Sequence, residues 1–452
     1  MEELLHSISA RANTYVDELT PLLRMKSISP VPGYEAEVQE CAQAFACLME
    51  NAGITSTVYQ TDGNPIVFGQ TPEQPGCRTI LIYGHYDVQP EGDPGIWQSD
   101  PYEPVIRDGR IYARGVADNK GQIFAQIKGY EAFCKRFGAP KLNLKFLIEG
   151  EEESGSRALT SFAASHAELL KAGFTLWSDG NYHNSGRPVI ILGLKGITYC
   201  HLTARGPSRD LHSQYAAVVE NPVWKLVKVL SSMKDAKGHV LIPGFYDDVI
   251  QPGERELAFM REIPGSIDAY AVDWGLADLG EIRDSLSFYK KYMYEPTLNI
   301  GCIHAGDPAG GKNIVPTSAE AWLDIRLVPG QKSEDMAGRV KAFVDASGIK
   351  GIQVECRGTD AAYTPVTIPY LEPIRNVVEE VWGQEPVVYP GHGGSGPFHV
   401  FNLMLNAPCI MIPYADAKQN DHGPNESLPV ENLVKGIQTA AAVIRTISEM
   451  EI

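Results

Sequence analysis

Apolar positions along the chain follow two rhythms, and the switch between them outlines the fold. Over residues 1–25, Leu4, Ile8, Tyr15, Leu19 and Leu22 fall on one face and predict a single amphipathic helix. Helical spacing returns over 36–51, where Gly53 closes the run. It returns again over 121–137, where Ile123, Ile127, Tyr130 and Phe133 share a side. Between these lie strand-like runs: a short apolar stretch at 79–83, and Leu142, Leu144, Phe146 and Ile148 in strict alternation. Helices and strands in turn predict an α/β fold with a mostly parallel sheet covered by helices.

From residue 196 the rhythm changes. Strands are predicted at 197–204, 319–327 and 352–356, with helices at 221–233 and 333–347, the pattern of a small α+β unit. A helix over 371–382 and a strand starting at Cys409 resume the first pattern. A chain of 452 residues exceeds one ordinary core. Two domains are expected: 1–195 with 367–452, and an inserted domain at 196–366.

Charge narrows the partners. Asp and Glu number 56 against 39 Lys and Arg, a formal net charge of −17, which argues against nucleic acid or an anionic membrane. The first residues carry acids where a signal peptide needs bases, and no run approaches the roughly 18 apolar residues of a membrane span. A cytoplasmic location is expected. Eight scattered cysteines form no CxxC pair, so they read as reduced and mostly buried thiols.

Chemistry gathers where predicted strands end. The run 79–84 leads into His85 and Asp87, the run 142–148 into Glu149, Glu151, Glu152 and Glu153, and the run 174–177 into Asp179. The strand at Cys409 is followed by a loop reaching His422, and Asp118 precedes the helix at 121. Ligands of open parallel sheets bind beyond the carboxyl ends of the strands. Each residue also has an ordinary use: Asp118 as a helix cap, Asp179 as a turn residue, the Glu run as a solvated first helical turn. Together, however, carboxylates crowded at one edge repel one another, and a cation relieves this. Imidazole and carboxylate without thiolate suit catalytic Zn²⁺, or Mn²⁺ or Co²⁺.

Five segments in order, YGHYDVQP (83–90), RGVADNKG (114–121), EGEEESGS (149–156), SDG (178–180) and NDHGPNE (420–426), resemble the signature of the M20 metallopeptidases. Within that family the chain is most similar to the cytosolic dipeptidase branch. The resemblance implies two divalent metal ions, with His85, Asp118, Glu153, Asp179 and His422 as ligands and Asp118 as the bridge. It makes Asp87 the residue that orients His85, and Glu152 the general base, with Glu151 an extra acid beside them. It also implies a cis peptide bond between Asp118 and Asn119.

The inserted segment is similar to the family's lid and dimerisation domain, and a homodimer is expected. There His212 would cross into the partner's site to polarise the scissile carbonyl. Asn313 and Arg326 would contact substrate, and the Gly393–Gly394–Ser395 loop would receive a carboxylate on backbone N–H groups. Relatives often place an Arg just before these glycines, where this chain has Pro390, Gly391 and His392. The expected function is hydrolysis of short peptides through a metal-activated water with Glu152 as base. The alternatives are an N-acyl-amino-acid amidohydrolase or carboxypeptidase on the same scaffold, or a non-catalytic peptide-binding protein.

Overall fold

A computed structural model describes residues 1–265, 267–306 and 311–450. Its centre is an eight-stranded sheet in the order Thr55–Tyr59, Ile66–Gln70, Asn143–Glu149, Thr79–His85, Phe174–Trp177, Cys409–Met411, Val189–Ile191 and Val387–Tyr389. The four strands from Asn143–Glu149 to Cys409–Met411 run parallel to one another, and the sheet turns antiparallel on either side of them. The fold is therefore the predicted α/β type with a mostly parallel sheet. Side-chain alternation separates two cores: Ile80 and Ile82 enter one, Leu81 and Tyr83 the other.

The first core is roofed by the helices Lys120–Phe137, Leu371–Trp382 and Val430–Glu449. Helix packing is close here: a Cβ at Gly129 would lie 2.4 Å from that of Ala440, so only glycine fits. The helix Val430–Glu449 is not among the predicted elements. Thirteen of its twenty residues are buried, and Glu431, Lys435, Arg445 and Glu449 line its outer face. The single helix predicted over 1–25 is two, Glu2–Ser9 and Ala12–Leu23, although Leu4, Ile8, Tyr15, Leu19 and Leu22 are all buried. At the break, the Arg11 N–H bonds the Ile8 carbonyl at 3.0 Å, a tighter turn than the α-helix makes.

A second sheet, of four antiparallel strands, lies within the inserted segment. Its order is Thr297–Ala305, Ser318–Leu327, Gly196–Arg205 and Ile352–Thr359. The helices Pro222–Ser232 and Ser333–Ala346 cover one face and complete a separate core. By contrast, the helices Glu254–Glu262 and Ser285–Tyr294 contribute Met260, Phe288 and Tyr289 to the second core of the large sheet. They too are absent from the predicted elements, being short and interrupted by Pro264, Gly265, Gly275 and Gly280.

The cysteines correct one expectation. Antiparallel register sets Cys200 directly opposite Cys356, with Cα atoms 4.2 Å apart, and the two form a disulfide. Of the remaining thiols, only Cys41 and Cys409 are buried, while Cys47 and Cys302 are exposed.

Candidate metal centre and substrate site

His85 is the last residue of its strand and is fully buried. Its Nδ1 lies 3.1 Å from the Asp87 carbonyl and 3.3 Å from Asp87 Oδ1. That fixes the ring and turns Nε2 toward Asp118 Oδ1 at 3.0 Å and Asp179 Oδ2 at 3.5 Å. The Asp87 carboxylate also accepts the backbone N–H groups of Glu152 at 3.3 Å and Glu153 at 3.1 Å, and the Ser29 hydroxyl. One buried carboxylate thus sets both an imidazole and the turn that carries the paired acids.

Asp118 sits just before the helix Lys120–Phe137, and its peptide bond to Asn119 is cis. The Asn119 side chain accepts from the His85 N–H at 3.3 Å and donates to the Ser178 carbonyl at 2.6 Å, stitching two strand ends together. A buried ion pair holds the Asp118 loop to the His422 loop. Arg114 donates to Glu426 at 2.7 Å and to the Gly423 carbonyl at 3.1 Å. Glu426 accepts from the N–H groups of Gly115, Ala117 and Asp118 at 2.9, 2.8 and 3.1 Å. Glu426→Ala strands a buried guanidinium and is expected to cost about 3–5 kcal/mol of stability, read from urea unfolding.

Two groups of three residues result, His85 with Asp118 and Asp179, and Asp118 with Glu153 and His422. Ligand atoms within each group lie within 4.8 Å of one another, and Asp118 belongs to both. His422 Nε2 stands 3.1 Å from both Asp118 Oδ2 and Glu153 Oε2. Asp118 and Glu153 together push the His422 pKa up to about 11. Burial, then repulsion from Asp118, pushes Glu153 up to about 7, and burial pushes Glu152 well above the ordinary carboxylate range. Buried His85 Nε2 makes no hydrogen bond and meets carboxylate oxygens. An orphaned imidazole nitrogen among desolvated acids fits divalent cations.

Glu151, the extra acid, is turned elsewhere: it accepts from the Asn64 N–H at 3.1 Å and the Ala158 N–H at 2.9 Å. Glu152 faces the glycine loop, since a Cβ at Gly396 would lie 3.4 Å from its Oε1. Arg326 donates to the Ser395 hydroxyl at 2.9 Å, joining the second sheet to that loop. The Gly394 N–H is already engaged, donating to His392 Nδ1 at 3.1 Å. His212 and Asn313 lie together on a separate two-stranded ribbon, with the Ser213 N–H on the Asn313 carbonyl at 2.8 Å. Both are exposed, and among the described residues the His212 ring accepts only the Gln214 N–H. Sequence reasoning missed Gln89, which donates to Glu153 Oε2 at 2.9 Å, and Trp177, which donates to Asp179 Oδ2 at 3.1 Å. It also passed over Arg114 and Glu426, each inside a quoted motif.

Residues 81–446 match the sequence profile of peptidase family M20/M25/M40. The chain belongs to this family. It is a hydrolase of the metallopeptidase type. This M20 peptidase is 27% identical to the Cys-Gly metallodipeptidase of Schizosaccharomyces pombe, over 100% of the chain and 99% of that protein. It is 30% identical to the Cys-Gly metallodipeptidase of Saccharomyces cerevisiae, over 85% of the chain and 82% of that protein. Among solved structures, it superposes on an M20 family metallo-carboxypeptidase from Sulfolobus solfataricus with TM-score 0.90 at 29% identity. That match covers 96% of this chain and 99% of the other. Human carnosine dipeptidase 1 shares the fold, with TM-score 0.82 at 24% identity over 99% and 100% of the two chains.

Proposed function

We propose that this M20 peptidase cleaves the peptide bond of dipeptides, using two zinc ions, with Mn²⁺ or Co²⁺ as substitutes. The observation that carries this reading is Asp118, shared by two ligand groups with Glu152 alongside. The metal ions, when bound, polarise the scissile carbonyl and lower the pKa of water. His85, Asp118 and Asp179 would hold one, and Asp118, Glu153 and His422 the other. Glu152 takes the proton of the attacking water and returns it to the departing amine. Arg326 meets the substrate carboxylate, for which its guanidinium is suited.

We propose further that the four-stranded sheet and its two helices form a lid through which two copies pair. In this reading, His212 and Asn313 complete the partner's site. Support comes from the exposure of both residues and from large apolar side chains nearby, Val218 at 80% and Trp224 at 63% exposed. The likeness to the Sulfolobus carboxypeptidase favours a second reading, removal of single residues from longer peptides. A panel of dipeptides, longer peptides and N-acetyl amino acids distinguishes these. The dipeptidase reading expects the dipeptides to be turned over fastest, and fails if longer peptides or N-acetyl amino acids are preferred.

His85→Ala and His422→Ala are each expected to lower bound metal as well as rate, measured by elemental analysis. Metal must also displace protons from this site. With no cation present, His422, raised to about 11, and Glu153, raised to about 7, both hold protons, so metal affinity should fall as pH drops, most steeply below about 7. Calorimetric titration at pH 7 in buffers of different ionisation enthalpy should register proton release, and no release would contradict metal binding at His422 and Glu153.

A further inference from the structure

The glycine loop beside Glu152 carries a hydrogen-bond chain whose direction can be deduced. Gly394 donates its N–H to His392 Nδ1 at 3.1 Å, so Nδ1 must be unprotonated. Burial, then the nearby charges of Lys195 and Arg326, lower the His392 pKa to about 4, which keeps the ring neutral. The single ring proton therefore resides on Nε2, which lies 2.8 Å from the Tyr292 phenol oxygen. Nε2–H donates, and the phenol oxygen accepts. The phenol's own hydrogen then has no acceptor among the described residues.

Its surroundings point to an anion. Arg326 acts on both Tyr292 and His392 electrostatically, and bonds Ser395 on the same loop. The Ser395 hydroxyl is occupied, since its hydrogen goes to the Gly196 carbonyl at 3.3 Å. Lys195 is mostly committed too, donating to the Glu295 carbonyl at 2.6 Å just beyond the helix that carries Tyr292. Tyr292 is pushed up to about 12 by burial, so it keeps its proton at neutral pH. Its ring is fixed in place: a Cβ at Gly393 would come within 2.3 Å of it. The helix Ser285–Tyr294 thus brings one free hydroxyl donor, through His392, to the loop that Arg326 binds at Ser395.

We propose that Tyr292, oriented by His392, donates its hydroxyl hydrogen to the free C-terminal carboxylate of the substrate beside Arg326, selecting peptides with an unblocked C terminus. This rests on the peptidase reading above and adds a substrate-contacting residue and a positioning residue to it. His392 acts without charge, by fixing which way the phenol donates.

The test compares a dipeptide with its C-terminal amide on metal-loaded enzyme. If the amide is not turned over, its inhibition constant serves instead. Tyr292→Phe keeps the ring and removes the donor. It should lower the acid-to-amide ratio of kcat/KM by about tenfold or more, mainly through KM on the free acid. His392→Asn, whose shorter amide cannot reach the phenol, should lower the same ratio, and His392→Gln should recover part of it. Misfolding would depress both substrates together and leave the ratio alone. An unchanged ratio in Tyr292→Phe overturns the proposal while the peptidase reading stands. A wild-type enzyme that neither cleaves nor binds either compound overturns the peptidase reading, and the proposal with it.

Discussion

Glu152→Gln is expected to lower turnover by about 10²–10⁴-fold while the fold and metal content stay as they are. The substitution keeps the shape of the side chain and removes only its capacity to take a proton. Three features of the site single this residue out. Glu153 faces Asp118 and His422, and Glu151 is bound by the Asn64 and Ala158 N–H groups, so neither is free to act. Glu152 has its backbone fixed by Asp87 and its carboxylate at the glycine loop where substrate would lie. Burial raises its proton affinity, the property a base needs to accept a proton near neutral pH. Steady-state kinetics with elemental analysis on the same sample provide the check. Near-normal activity would mean that another group is the base.

His212→Ala is expected to cost about 10²–10³ in rate, the usual effect of losing one oxyanion donor. Among the described residues the ring has no catalytic partner and accepts only the neighbouring Gln214 N–H. If it serves the other subunit, two inactive variants should complement. Mixing His212→Ala with Glu152→Gln subunits makes dimers in which one site has Glu152 from its own chain and His212 from the other. The second site carries both defects, so random exchange restores at most about a quarter of the wild-type rate. Failure to recover activity in dimers shown to be mixed would mean that His212 does not cross. An unimpaired His212→Ala would make it an ordinary surface imidazole.

The sheet and most of the candidate metal cluster were legible because strand-like runs and the acids and histidine just beyond them coincide. Short apolar runs located the strands ending at His85 and Trp177, alternation located the one ending at Glu149, and the polar residues just beyond each marked the carboxyl edge. Joining Asp118 to His422, 304 residues apart in sequence, needed the ordered motifs, since spacing alone does not bring such loops together. What stayed hidden depends on partners that no local pattern records. Arg114 and Glu426 are an isolated base and acid until the fold buries them against each other. Tyr292 lies on a short helix of the inserted segment whose apolar face completes the large sheet's core. Likewise Cys200 and Cys356 become a pair only through the register of two strands.

The most direct test of the account is metal content and dipeptide hydrolysis measured together, before and after exhaustive chelation and then after metal is returned. About two divalent ions per chain, loss of activity with the metal, and recovery when Zn²⁺, Mn²⁺ or Co²⁺ is restored are expected. Full activity in protein shown to be free of metal would contradict this.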